Sequence, residues 1–87
     1  MQELRLGIDV ASVEQHRAAL ADETGRLLWS NRRFRTISGQ LEALWAAVRG
    51  AGEVPVVVVM EPTRNAWVPL AAWLRARDAT VRMVPPE

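Results

Sequence analysis

The stretch Val56-Val57-Val58-Val59-Met60-Glu61-Pro62 limits the fold more than any other part of the chain. Four consecutive β-branched residues followed by methionine predict a strand, and the lack of alternation predicts that both its faces are buried. Such a strand belongs in the middle of a sheet covered by helices. Pro62 ends it, because proline has no amide hydrogen for the ladder and holds Glu61 extended. Glu61 therefore falls at the carboxyl end of a central strand, where open α/β sheets place their ligands. The plainer alternative makes Glu61 the first solvated residue after a core strand.

The remaining elements follow from local pattern. Leu4 to Val10 reads as a first strand ending near Asp9, with a small-residue turn at Ala11-Ser12. Gln15 to Ala21 is a second strand, and Asp22-Glu23-Thr24-Gly25 supplies hairpin chemistry in which Gly25 takes positive φ. Arg26 to Arg35 is a third strand whose polar second half suits an exposed edge, where arginines discourage edge-to-edge pairing. Thr36 or Ser38 caps a helix over Gln40–Arg49, with Leu41, Leu44, Trp45 and Val48 on one face, ended by Gly50 and Gly52. Thr63 or Asn65 caps a second helix carrying Trp67, Leu70, Ala71 and Leu74. Pro69 is tolerated there only in the first turn. Thr80 to Val84 forms the last strand, stopped by Pro85-Pro86.

The order β-β-β-α-β-α-β is that of a ribonuclease H-like α/β fold with a five-stranded mixed sheet. In that fold the first strand lies beside and parallel to the fourth, so Asp9 and Glu61 come from carboxyl ends of neighbouring strands. Strands lie about 4.8 Å apart, close enough for the two carboxylates to share one hard cation, which relieves their repulsion. Oxygen-only ligands point to Mg²⁺ or Mn²⁺ rather than zinc. Two such ions activate water and stabilise the leaving oxygen in phosphodiester cleavage.

Composition narrows the chemistry further. The chain has no cysteine, which excludes disulfides, thiolate zinc sites and cysteine nucleophiles. The amino terminus carries no signal-peptide pattern, and the longest apolar run is too short to span a bilayer, so a cytoplasmic, non-membrane protein is expected. Net charge is only +1, which by itself does not advertise nucleic acid. All eleven basic residues are arginine, and Arg32, Arg33 and Arg35 cluster in a pattern suited to phosphate backbones or to a solvated edge strand.

Two segments resemble a known family: Gly7-Ile8-Asp9-Val10-Ala11-Ser12, and Met60-Glu61-Pro62-Thr63-Arg64-Asn65-Ala66-Trp67-Val68-Pro69-Leu70. Together with Leu74 and Val81 to Pro85, they are similar to the amino-terminal part of DEDD transposases of the IS110 insertion-sequence type. The resemblance implies a RuvC-like domain in which four acidic residues bind Mg²⁺ and cut or rearrange DNA. Asp9 matches the first acid and Glu61 the second. Full-length members add a domain with a serine nucleophile and act with an element-encoded guide RNA, which makes DNA, and such an RNA, the implied partners.

The family's third and fourth acids lie downstream, three residues apart on a helix, and Glu87 is not a substitute for either. Residues 1–87 are therefore expected to be a truncated domain with half of a metal site, binding Mg²⁺ weakly and inactive alone. Arg64 stands where many relatives have glycine. Beside Glu61 and at a helix amino terminus, it is a candidate for nucleic-acid contact along with Arg33. Ser12 either contacts phosphate or closes its turn, and the lone His16 is expected to serve structure. Trp29, Trp45 and Trp67 are expected in the core, with Trp73 off the apolar stripe.

Two other function classes remain in view. An actin-like ATPase or sugar kinase shares the fold core and the opening Gly-Ile-Asp, but Val10-Ala11-Ser12 lacks its phosphate-receiving glycine. A non-enzymatic remnant that folds, self-associates or binds nucleic acid is the other. An uncovered sheet face would promote self-association.

Overall fold

A computed structural model describes residues 1–11, 13–62 and 64–85. Its elements are β1 (Leu4–Asp9), β2 (His16–Asp22), β3 (Leu27–Phe34), α1 (Ser38–Ala51), β4 (Val56–Met60), α2 (Trp67–Arg75) and β5 (Thr80–Met83). The five strands form one sheet in the order β3-β2-β1-β4-β5. The β1–β2 and β2–β3 pairs are antiparallel, while β1–β4 and β4–β5 are parallel. This mixed sheet has the expected order and the expected neighbours for β1, as in the ribonuclease H-like fold.

Strand side chains alternate between faces, and here the two faces have different fates. Leu4, Leu6 and Ile8 of β1 are buried with Val56, Val58 and Met60 of β4, and Ala18 and Leu20 of β2 lie with them. Leu41, Leu44 and Val48 of α1 and Leu70 and Leu74 of α2 join the same core. Both helices thus cover one face. Residues of opposite parity (Arg5, Gly7, Asp9, Arg17) are exposed.

The four-valine strand consequently departs from its expectation. Val56 and Val58 are buried, Val57 is half-buried, and Val59 is 36% exposed. An apolar run reports that a strand is central; it does not report how many faces are covered.

Local details account for the connections. Asp22 Oδ1 accepts hydrogen bonds from the backbone N–H of Thr24 and of Arg26 at 2.9 and 3.0 Å, and from the Thr24 hydroxyl at 2.6 Å. These bonds hold its carboxyl below the usual range, the Thr24 side-chain bond most of all. Gly25 takes φ +88°, as the hairpin requires. Register shifts between Ala18 and Leu20 mark a bulge in β3, where Asn31 adopts φ 55°.

Among the described residues, no expected side chain caps either helix. The N-cap positions are Ile37 and Ala66, and no side chain bonds either terminus. Thr36 is engaged elsewhere, Ser38 begins α1, and Asn65 offers its backbone C=O to the Val68 N–H at 3.2 Å. Gly50 lies within α1, and Gly52 follows it as C-cap. The tryptophans are half-buried at the margin of the core. Trp73 packs edge-on to Trp45 at 6.3 Å, and the Arg77 guanidinium lies 3.5 Å from its ring centroid. An aromatic pair with a stacked cation fastens α1 to α2 outside the apolar stripe.

Candidate functional site

Parallel pairing of β1 with β4 runs from Leu4↔Val56 to Ile8↔Met60. The next residues on the two strands are Asp9 and Glu61, which therefore come level at the carboxyl ends of adjacent central strands. Beyond them, the Val84 N–H donates to the Met60 carbonyl at 2.9 Å and carries the chain after β5 past the base of Glu61. Asp9, Glu61, Gly7, Val59 and Val84 line one hollow on the open face. A Cβ built on Gly7 would meet nothing within 4 Å, so its missing side chain leaves the space over the sheet clear.

Both carboxylates are exposed, and neither forms an ion pair with another described residue. Carboxylates extending from the ends of adjacent strands into one hollow, and forming no ion pair among the described residues, fit Mg²⁺ or Mn²⁺, which are commonly held by one or two carboxylates with water and substrate phosphate completing the shell. No group of three or more His, Cys, Asp or Glu able to hold a metal exists among the described residues. The fit is to two ligands of such an ion.

Among the described residues, His16 is the one buried polar side chain, at 5% exposure. Its Nδ1 accepts the Ala11 N–H at 3.0 Å, and its Nε2 lies 2.8 Å from Thr36 Oγ1. An Nδ1 that accepts must be unprotonated, so the proton of the neutral ring sits on Nε2 and is donated to Thr36. Burial lowers the His16 pKa, and the Asp9 charge opposes that shift only in part. The structural role expected for His16 thus has a definite form: it ties the chain just after Asp9 to the segment entering α1.

The arginines divide differently from their order in sequence. Arg17 pairs across the sheet with Asp9 on one side and Arg33 on the other. Arg17, Arg33 and Arg35 line a second hollow of the open face. Arg32 leaves this group and lies over the Trp29 ring at 5.9 Å. Sequence reading missed Arg17; the signal lay in hairpin register, which puts residues 17 and 33 opposite each other. Arg64 is exposed in the loop after β4 with φ 51°, a left-handed conformation that favours glycine. Ser12, Thr63 and Glu87, each considered above, lie outside the described residues.

This geometry meets its family in one comparison. A family model for DEDD transposases of IS110 elements, described as transposase, matches residues 6–87. The chain belongs to this transposase family. No curated protein and no solved structure matches it. The match takes in Asp9, Glu61, Arg33 and Arg64, and the family generally uses a divalent metal. Among the described residues, no helix of this transposase domain is long and apolar enough to cross a membrane.

Proposed function

We propose that the chain is the amino-terminal catalytic-domain segment of a DNA transposase, acting in transposition and recombination through Mg²⁺-dependent phosphodiester chemistry. The observation that carries this reading is the Ile8↔Met60 register, which brings Asp9 and Glu61 level on an open sheet face. Asp9 and Glu61 hold the metal from one side. A bound ion of this kind polarises phosphoryl oxygen and lowers the pKa of water. The β1–β4 pairing fixes the backbone from which the two exposed side chains extend, and binding orders their rotamers. Arg33 and Arg64 contact nucleic-acid phosphate, from the edge hairpin and from the loop after Glu61. With two candidate ligands among the described residues, the segment binds metal weakly and does not catalyse by itself. Its nucleic-acid partners are DNA and an element-encoded guide RNA.

Mn²⁺ titration followed by paramagnetic broadening of backbone amides tests the metal site. Broadening is expected to centre on the amides of residues 8–10, 60 and 61 and to disappear in Asp9→Asn and Glu61→Gln. Uniform broadening that ignores both substitutions would sink the reading.

The uncovered face favours a second, non-enzymatic reading. Val57 and Val59 meet solvent beside Gly7 and Ala19 there, an apolar strip able to drive self-association.

A further inference from the structure

The open face carries a continuous trough. The hollow of Asp9 and Glu61 shares Gly7 and Asp9 with a middle hollow, and that middle hollow shares Arg17 with the arginine-lined one. The floor between them is Gly7 and Ala19, which face each other across β1 and β2. The trough therefore runs across strands, from the carboxylates over β1 and β2 to Arg33 and Arg35 at the β3 edge.

Its basic end is electrostatically unbalanced, since Asp9, the cross-strand neighbour of Arg17, forms no ion pair with it. Arg17 and Arg33 stand directly opposite on one face, an arrangement that destabilises a sheet when both charges are alike. No ion pair relieves Arg17, Arg33 or Arg35 among the described residues. Glu14 lines the same hollow without reaching any of them. Uncompensated like charges in a concave site suit a ligand with repeated negative charge, and guanidinium forks match phosphate oxygens in particular.

We infer that Arg17, Arg33 and Arg35 hold successive backbone phosphates of a single nucleic-acid strand that lies along this trough, with its reacting phosphate at Asp9 and Glu61. The inference rests on the metal-site reading for the reacting phosphate, and on the arginines alone for the path of the strand. Strand spacing sets Arg17 about 5 Å and Arg33 about 10 Å from Asp9 across the sheet, within the run of a strand's next phosphates. The path is independent of base sequence, because only backbone charge is engaged.

Fluorescence anisotropy of the full chain with labelled single-stranded DNA, and with RNA of the same sequence, tests this without metal. Arg17→Ala, Arg33→Ala and Arg35→Ala are each expected to weaken binding several-fold. Each should also lower the slope of log affinity against log salt by about 0.7, one phosphate contact on a single strand. Arg75→Ala on α2 removes the same charge away from the trough and should change neither. Gly7→Val fills the trough floor and should weaken binding with every arginine in place. Melting temperatures of the arginine variants should hold or rise, which separates lost contact from lost fold.

Equal losses from Arg75→Ala, unaltered binding by the trough variants, absence of binding by the wild type, or equal affinity for polyglutamate would each overturn the inference. A preference for DNA or for RNA assigns the strand to one source. Failure of the metal reading shows separately, as loss of Mn²⁺ broadening with arginine-dependent strand binding intact.

Discussion

His16 accepts the Ala11 amide proton through Nδ1 at 3.0 Å, two residues beyond Asp9, while its other nitrogen engages Thr36. Only the neutral ring can make the first bond. Replacing His16 with alanine leaves a partly buried N–H and a hydroxyl unpartnered, and should cost about 1–3 kcal/mol. His16→Asn retains an acceptor near the Nδ1 position and should recover the protection of the Ala11 amide against hydrogen exchange; His16→Gln, reaching towards Thr36, should not. Equal exchange at Ala11 in all three variants would refute this role.

The same bond has a pH signature. Burial depresses the His16 pKa below 6.5 in the folded state, so the unfolded chain binds more protons in that range and stability rises with pH. The contribution is complete above the unfolded value near 6.5 and is lost as pH falls from there through the depressed folded value. Denaturant melts of the wild type should show this loss, and His16→Asn should flatten it. A wild-type curve that does not bend in this window contradicts the prediction.

Asp9 and Glu61 form no ion pair with a described residue, and Asp9 acts only through space on His16. Asp9→Asn and Glu61→Gln should therefore move stability by no more than about 0.5 kcal/mol while removing the Mn²⁺ response. Thermal melts alongside the titration check both halves of the statement. Severe destabilisation would assign these carboxylates to structure.

Arg64 stands at φ 51°, where a side chain costs roughly 1 kcal/mol that glycine avoids. Arg64→Gly is expected to melt at the same temperature or higher, and to bind nucleic acid more weakly. Lower stability with unchanged binding would reverse both assignments.

Trp73 joins α1 to α2 through Trp45 and also carries Arg77. Trp73→Ala should destabilise the domain by roughly 2–3 kcal/mol, less than the loss of a fully buried aromatic. A urea titration measures it, and a change within error would place Trp73 outside the helix contact.

The uncovered face predicts association. At tens of micromolar, a concentration regime in which exposed apolar surface drives association, sedimentation should report dimers or larger species, and Val59→Lys should reduce them. Monomers throughout would argue against this face as a contact surface.

Much of this domain was legible in the chain because its signals are local. Gly25 announced its turn, Pro69 located the start of α2, and the apolar spacing of Leu41, Leu44 and Val48 marked the buried stripe of α1. The cap expected at Thr36 was misread because a hydroxyl before a helix is a candidate for any nearby partner: Thr36 bonds His16, twenty residues earlier in the chain.

The sequence by itself determined the element order, the central place of the Val56–Met60 strand, and the acids that end β1 and follow β4, since periodicity and proline act within a few residues. Tertiary structure alone decided that both helices pack on one face, that Arg17 joins Arg33 while Arg32 turns to Trp29, and that His16 ties down the chain beyond Asp9. Those outcomes depend on strand register and on which face finds a partner. Both are set by contacts between residues far apart in the chain, where local pattern carries no information.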